Sequence, residues 1–327
     1  PTQAPAQSRM VTHSPIFFGW FVMLAGSFGL IMTSPGQTYG ISVFIEHFIT
    51  DLGVSRSLVS TYYAIGTLTG AAMLPFVGRR IDQQGPRSVV VVVAVLFGLA
   101  CIYMGLVTGG LMLLFGFMLI RMLGQGSLSL VSNYTINQWW MRRRGMVVGI
   151  SGVLMALLGM GAFPNLLNWL IGLIGWRPTY MTMGLVLIFV MAPVGYLFYR
   201  SRPERYGLLP DGASTRKAGG QSQPQDFVEE EWTLSEALHT PAFWIVVSGL
   251  ASISMLATGL TFHMVSIFED NQLSADAAAA VFLPISMVSA AVNLGSGILV
   301  DRFPIRFLLS TALFIQASAL IMAQSLS

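Results

Sequence analysis

The sequence predicts an all-α protein threaded repeatedly through a membrane. Three observations carry that expectation. Of 327 residues, 54% are hydrophobic and only 9% charged, against roughly 25% charged in a soluble domain, and the mean hydropathy is +0.70. Apolar runs near the ~20 residues that a helix needs to cross a bilayer recur along almost the whole chain. Sixteen of the seventeen basic residues are arginines, gathered in short clusters between those runs. A net charge of +3 distributed in this way marks membrane topology, not a nucleic-acid-binding face.

Nine spans follow in order. The first, 16–46, is too long for one straight crossing, and Pro35-Gly36 inside it is expected to break the helix and free backbone carbonyls toward the interior. Spans 57–78, 87–108, 110–136, 145–170 and 176–199 complete a group of six, and 241–268, 277–300 and 305–324 form a group of three. The chain therefore divides into a tail (1–15), a six-helix half (16–199), a linker (200–240) and a second, incomplete half (241–327). Within the linker, Pro, Gly, Ser and Gln over 213–225 read as flexible chain and 233–238 as a short surface helix. Glu229, Glu230 and Glu231 read as a solvated face.

Loop charges set the orientation. Arg9, Arg79, Arg80, Arg87, Arg142 to Arg144, Arg200, Arg202, Arg205, Arg216, Lys217, Arg302 and Arg306 fall on one side of the nine-span arrangement. That side, with the N-terminus, is expected to be cytoplasmic, and the membrane the cell (inner) membrane. Only Arg56 and Arg177 lie opposite, beside Glu46, Asp51, Glu269, Asp270 and Asp276. The single cysteine, Cys101, lies inside an apolar span and reads as a packing residue.

One motif occurs twice. Gly78, Asp82 and Arg87 follow the second span; Gly297, Asp301 and Arg306 follow the eighth, each 219 residues later (297 − 78, 301 − 82, 306 − 87). Two copies of one loop imply two related halves. The glycine is expected to let helices approach at the rim, and the aspartate to pair with arginine or cap a helix. The set then acts as a latch that opens in a conformational cycle; the alternative is a static topogenic turn.

These residues resemble the major facilitator superfamily, whose loop between helices two and three follows Gly-x-x-x-Asp-(Arg/Lys)-x-Gly-(Arg/Lys)-(Arg/Lys). The first copy keeps Gly78, Asp82, Gly85 and Arg87, and departs at Gln83 and Pro86; in the second, Arg302 supplies the basic neighbour and Pro304 replaces the second glycine. Arg121-Met122-Leu123-Gly124-Gln125-Gly126 is similar to the family's fourth-helix arginine motif, Gly159-x-Gly161 with Pro164 to its fifth helix, and Gly175-Trp176-Arg177-x-x-Tyr180 to the start of its sixth. Tyr39-Gly40-x-Ser42-Val43-Phe44, Trp139-Trp140-x-Arg142-Arg143-Arg144-Gly145 and Arg202-Pro203-Glu204-x-x-Gly207-Leu208-x-Pro210-Asp211 most resemble the monocarboxylate porter and oxalate/formate antiporter branch. The resemblance implies a major facilitator fold of twelve helices in two six-helix halves. On that expectation this chain carries nine (6 + 3) and lacks helices ten to twelve.

Arg121 is the outstanding intramembrane charge. Eleven residues into its span at 1.5 Å each, it lies about 16 Å deep, near the midplane, where it needs a partner or a wet cavity. It reads either as an anion or coupling site, or as a structural donor to neighbouring carbonyls. Gln125, one turn away, is its natural companion. Gln37, Tyr39, Asn133, Asn165, Asn168, His263 and Asn293 are the other polar groups on apolar helices, able to bind substrate or to join helices; His263 also offers a proton relay. Gly145, Gly149, Gly152, Ala156 and Gly159 form a smooth stripe for packing.

No phosphate-binding loop, metal-ligand cluster or catalytic signature stands out, so neither an enzyme nor a cofactor or metal is expected. The expected function is alternating-access secondary transport of a small organic solute. By resemblance that solute is a carboxylate, exchanged for another anion or coupled to H+. The alternatives are a transporter of a neutral or drug-like solute, and a non-transporting membrane receptor or scaffold.

Overall fold

A computed structural model of the chain describes residues 11, 14–141, 143–212, 234–302 and 305–324. Among them, the fold is a set of helices joined by short turns. The first span is broken, as Pro35-Gly36 predicts: α1 (Gly19–Ile31) gives way to a 3-10 turn at Ser34–Gly36, and the chain resumes as short helices at Thr38–Ser42 and Ile45–Leu52. Pro35 has no N–H to donate, and the turn is held by Thr33 and Ser34 hydroxyls donating to the Leu30 and Ile31 carbonyls, both at 2.6 Å. Then come α2 (Arg56–Gln84) and α3 (Pro86–Gly105), α4 (Gly110–Trp139), α5 (Arg144–Ile174) and α6 (Trp176–Phe198). After the linker follow α7 (Pro241–Phe262), a short continuation at Met264–Asp270, α8 (Ala275–Arg302) and α9 (Ile305–Gln324). Six of these, α3 to α8, are long and apolar enough to cross a membrane, which makes the chain an integral, multi-pass membrane protein. The helix from 56 runs six residues past the span expected to end at 78, because the Gly78–Gln84 stretch of the repeated motif continues α2 until Gly85 (φ +79) ends it and Pro86 opens α3.

Helix ends meet at two rims. At one, Glu46 and Asp51 from the end of the first span, Arg56 from the start of α2, Val107 after α3 and Arg177 from the start of α6 are bonded to one another in sets. At the other, Asp82 at the end of α2 meets Tyr134 of α4, and Arg87 at the start of α3 meets Tyr196 of α6. Successive ends therefore alternate, as crossings must. We call these the acidic rim and the arginine-rich rim.

Between the rims, helices pack backbone to backbone through small residues. The tightest approach is α3 on α6, where a Cβ built on Gly184 would stand 2.5 Å from the Gly98 carbonyl oxygen. Aromatic and branched side chains fill the rest of this core; Phe97, Phe117, Leu128 and Tyr180 are fully buried. Large apolar side chains on the outside, such as Leu68, Leu111 and Phe189, are exposed, as lipid contact requires.

The chain forms two compact units: Pro1–Ala213 with Phe262–Leu294, and Ser214–Thr261 with Gly295–Ser327. The grouping thus runs through α7 and α8 instead of dividing at the linker, because Phe262–Leu294 bonds with α2 and α5. Asn165 Nδ2 donates to the Ala279 carbonyl at 3.1 Å, and Asn168 donates to the Asp276 carboxylate. The smaller unit joins α7 to α9, with Gln316 Nε2 donating to the Ile253 carbonyl at 3.2 Å.

Candidate functional site

The break in the first span, α2 and α4 converge on Arg121. This residue is 2% exposed and opens a π-helical stretch, Arg121–Leu128, an irregularity frequent at functional sites. Its Nη1 donates to the Gly36 carbonyl at 2.9 Å, a carbonyl that the broken helix leaves available. Its Nε donates to Thr67 Oγ1 at 3.0 Å. The guanidinium carbon lies 4.5 Å from the centre of the Tyr63 ring, a cation–π contact. The Tyr63 hydroxyl in turn meets Thr38 Oγ1 at 2.7 Å. Nη2 has no protein hydrogen bond among the described residues.

No described carboxylate neutralises the charge. None of the three ion pairs among the described residues includes Arg121; its partners are a carbonyl, a hydroxyl and a ring. A cation held in this way keeps its positive field, which falls on an adjoining cavity of about 160 Å³ lined by Thr67, Gly70, Leu74, Arg121, Gln125 and Gly126. Gly36 is fixed by close approach, since a Cβ there would collide with the Ile120 carbonyl one residue before Arg121.

Only part of the expected set gathers here. Gln125 lines the same cavity, one π-turn from Arg121. Gln37 instead donates to Thr33 Oγ1 at 2.9 Å, and the Tyr39 hydroxyl meets Ser34 Oγ at 3.0 Å, so both brace the helix break next to the arginine. Asn165 joins α5 to α8, and Asn293 lies against Gly152, where a Cβ would stand 3.2 Å from its amide. Both belong to a helix contact, not to the cavity. His263 follows the end of α7, its ring edge-on to Phe262 at 5.0 Å. Sequence reasoning missed Tyr63 and Thr67. Their i, i+4 spacing on α2, with Gly70 one turn further, was the available signal.

The repeated motif behaves differently from expectation. A Cβ at Gly78 would meet nothing within 4 Å, so this glycine does not serve close helix approach: it lies on an open face of α2. Asp82 accepts from the Tyr134 hydroxyl at 2.9 Å and not from an arginine. Arg87 donates to the Tyr196 carbonyl at 2.7 Å and covers its ring at 3.8 Å. In the second copy the backbone is helical through Gly297, Asp301 and Arg302; the side chains of Asp301 and Arg302, and all of Pro304, lie outside the described residues, as do Arg9, Arg142, Arg216, Lys217, Glu229 to Glu231 and the 213–225 linker. Arg306 is exposed and lies over the Phe307 ring at 5.0 Å.

Two of the three motifs that point to one branch, Trp139–Gly145 and Arg202–Asp211, meet at the arginine-rich rim, while Tyr39–Phe44 lies at the break in the first span. Trp139 Nε1 donates to the Arg200 carbonyl at 3.2 Å, and Tyr206 stacks on the Trp139 ring at 6.3 Å. Asp211 accepts the Met141 and Arg143 N–H groups, both at 3.1 Å, and so holds the turn that leads into α5. Trp140 meets Trp20 and Phe17 at 4.8 and 5.3 Å.

Comparison with known proteins agrees with this architecture. The chain is 22% identical over 243 residues to an oxalate:formate antiporter of Oxalobacter formigenes, covering 72% of this chain and 52% of that one. It is 28% identical over 193 residues to a multidrug resistance protein B homologue of Mycobacterium tuberculosis, covering 56% and 35%. The chain thus spans about half or less of the length of the curated relatives it matches. A crystal structure of a bacterial homologue of the human lysosomal transporter Spinster, inward-facing and occupied, superposes with a TM-score of 0.57 at 18% identity, over 92% of this chain and 64% of the other. The Major Facilitator Superfamily profile matches residues 27–326. On that match, and on the helical architecture that carries it, the chain belongs to the Major Facilitator Superfamily.

Proposed function

We propose that the chain acts in secondary active transport by alternating access and carries a small carboxylate, for which Arg121 is the receptor. The observation that carries this reading is a buried guanidinium with no acidic partner among the described residues, whose Nη2 is left without a hydrogen bond there, beside a cavity of about 160 Å³. Burying a lone cation is costly, and an anionic solute offsets that cost on each visit. An arginine fork also matches a carboxylate bidentately. Gln125, exposed in the same cavity, adds an amide for the solute's second polar end. The oxalate:formate antiporter among the relatives supports a carboxylate and favours exchange over a one-way flux.

Loop charge supports the arginine-rich rim and the N-terminus as cytoplasmic, in the cell's inner membrane, and the 219-residue echo supports two related halves. A second reading, an apolar or drug-like solute, is favoured by the multidrug resistance relative and by an apolar cavity of about 160 Å³ between the first span, α5 and α6, lined by Met32, Pro35, Phe163, Leu167, Met183 and Leu187.

Uptake of labelled oxalate and formate into proteoliposomes holding the full-length protein tests both readings. Saturable uptake, accelerated by the same anion inside, is expected. Arg121→Gln should lower it about 10- to 100-fold, the worth of a charged hydrogen bond, with membrane insertion intact. Uptake of a neutral apolar solute unaffected by Arg121→Gln would favour the second reading; ligand binding without flux would make the protein a receptor.

A further inference from the structure

We propose that Arg56, with Glu46 and Asp270, is the gate that closes the acidic rim over the Arg121 cavity. One guanidinium ties a neighbouring segment and a distant one: Arg56 Nη2 pairs with Glu46 Oε1, ten residues before it, at 2.9 Å, and Nη1 with Asp270 Oδ2, 214 residues after it, at 3.0 Å. The Ser266 hydroxyl donates to the same Glu46 Oε1 at 2.6 Å. The helix Ile45–Leu52, the first residue of α2 and the helix Met264–Asp270 are therefore closed on one another by a single knot.

The position of Arg56 makes the knot conditional on its carboxylates. It is the first residue of α2, where the aligned peptide dipoles disfavour a cation; two carboxylates offset that, and separation of the segments exposes the misfit again. Two helical turns below, on the same face of α2, the Tyr63 ring lies 4.3 Å from the Phe262 ring, and Phe262 is buried. Tyr63 also lies against the Arg121 guanidinium. A continuous path thus runs from the rim knot through Phe262 and Tyr63 to the cavity arginine. The ion pairs are partly exposed, at 37% and 22% for Arg56 and Glu46 and 65% for Asp270. Pairs of that kind are individually weak, which suits contacts that must break and re-form in every cycle. A permanent brace would be better served by the buried contacts that surround Trp139 at the other rim.

The gate rests on the alternating-access reading but not on the carboxylate assignment, and its test uses no substrate. In a Cys101→Ser background of the full-length protein, Ala71→Cys places a thiol on the cavity wall. A membrane-impermeant maleimide is then applied from the acidic-rim side. Arg56→Gln and Asp270→Asn should each raise the labelling rate about tenfold, a modest population shift. The exchanged pair, Arg56→Asp with Asp270→Arg, keeps one cation between two carboxylates and should return the rate to within about threefold of the parent. Unchanged labelling in the single variants, or equal acceleration in the exchanged pair, overturns the gate. Should the charge variants fold poorly, Glu46→Cys with Ser266→Cys gives a second arm. A bis-methanethiosulfonate cross-linker, long enough to replace the reach of the Glu46 side chain, should join the two thiols and stop transport, and reduction by dithiothreitol should restore it. A linked protein that transports at the parent rate also overturns the proposal, whereas loss of carboxylate uptake with the labelling pattern intact overturns the proposed substrate alone.

Discussion

The two rims are built from different chemistry. At the acidic rim, Arg56 and Arg177 each reach carboxylates through exposed or half-exposed ion pairs, and segments more than 200 residues apart in sequence are joined by a few polar atoms. At the arginine-rich rim, beside the exposed Asp82–Tyr134 and Arg87–Tyr196 contacts, the packing around Trp139 and Trp140 is aromatic and buried. Trp139 and Trp140 are 0% and 1% exposed, and the strap after α6 folds back so that Tyr206 and Asp211 grip the turn between α4 and α5. One of these pairs, Arg56 with Asp270, joins α2 to the helix Met264–Asp270. Strong apolar packing stands where the first six helices hold one another. On the proposed gate, motion is directed to the acidic rim, and the arginine-rich side of the six-helix set serves as its anchor.

Substitutions can break this contrast, and the largest effect is expected from the anchor. Trp139→Ala should lower unfolding stability by about 3–5 kcal/mol, as for other buried aromatics, measured by thermal melting in detergent, while maleimide labelling from the acidic rim stays at the parent rate. Gly184→Ala drives a methyl into the Gly98 carbonyl and should cost about 1–3 kcal/mol in the same assay. Asp211→Ala removes the acceptor of two exposed backbone N–H bonds in the turn before α5 and should cost about 1 kcal/mol.

Smaller effects sharpen the contrast. The Trp176 indole and the Arg177 guanidinium hold the Asp51 carboxyl below the usual carboxylate range. Its contribution to stability is therefore complete above the ordinary carboxylate pKa of about 3.9 and is lost as pH falls through the lower folded value. Melting temperature should fall on acidification below about pH 4, and less steeply in Asp51→Asn. Gly78→Ala, facing open space, should be neutral or stabilising by up to about 1 kcal/mol through helix propensity. A clear loss there would restore the close-packing role that the sequence motif implies.

Much of this architecture was legible in the residues. Apolar run lengths located nine helices, and the ends of α3, α4, α6 and α9 fell within three residues of expectation. Pro35 and Gly36 located the break, and the depth of Arg121 in its span marked it as the outstanding charge. What was not legible depended on tertiary contact. Periodicity says nothing about which neighbour a helix face meets, so nothing set Tyr63 and Thr67 apart on α2, and Asn165 and Asn293 could as well have faced a substrate as a neighbouring helix. The π-helical stretch at Arg121–Leu128 leaves no compositional mark, since its residues are as compatible with an α-helix. Asp82 could have paired with any rim arginine; only the fold brings the Tyr134 hydroxyl to it.

The account depends most on Arg121 acting as an anion receptor and not merely as a donor to Gly36 and Thr67. Binding of small carboxylates to the purified full-length protein, read by isothermal titration, separates the two. The parent is expected to bind saturably. Arg121→Gln should weaken binding about 10- to 100-fold, and Arg121→Lys, which keeps the charge but loses the fork, should fall between them. Equal affinity in the parent and Arg121→Gln would contradict the account.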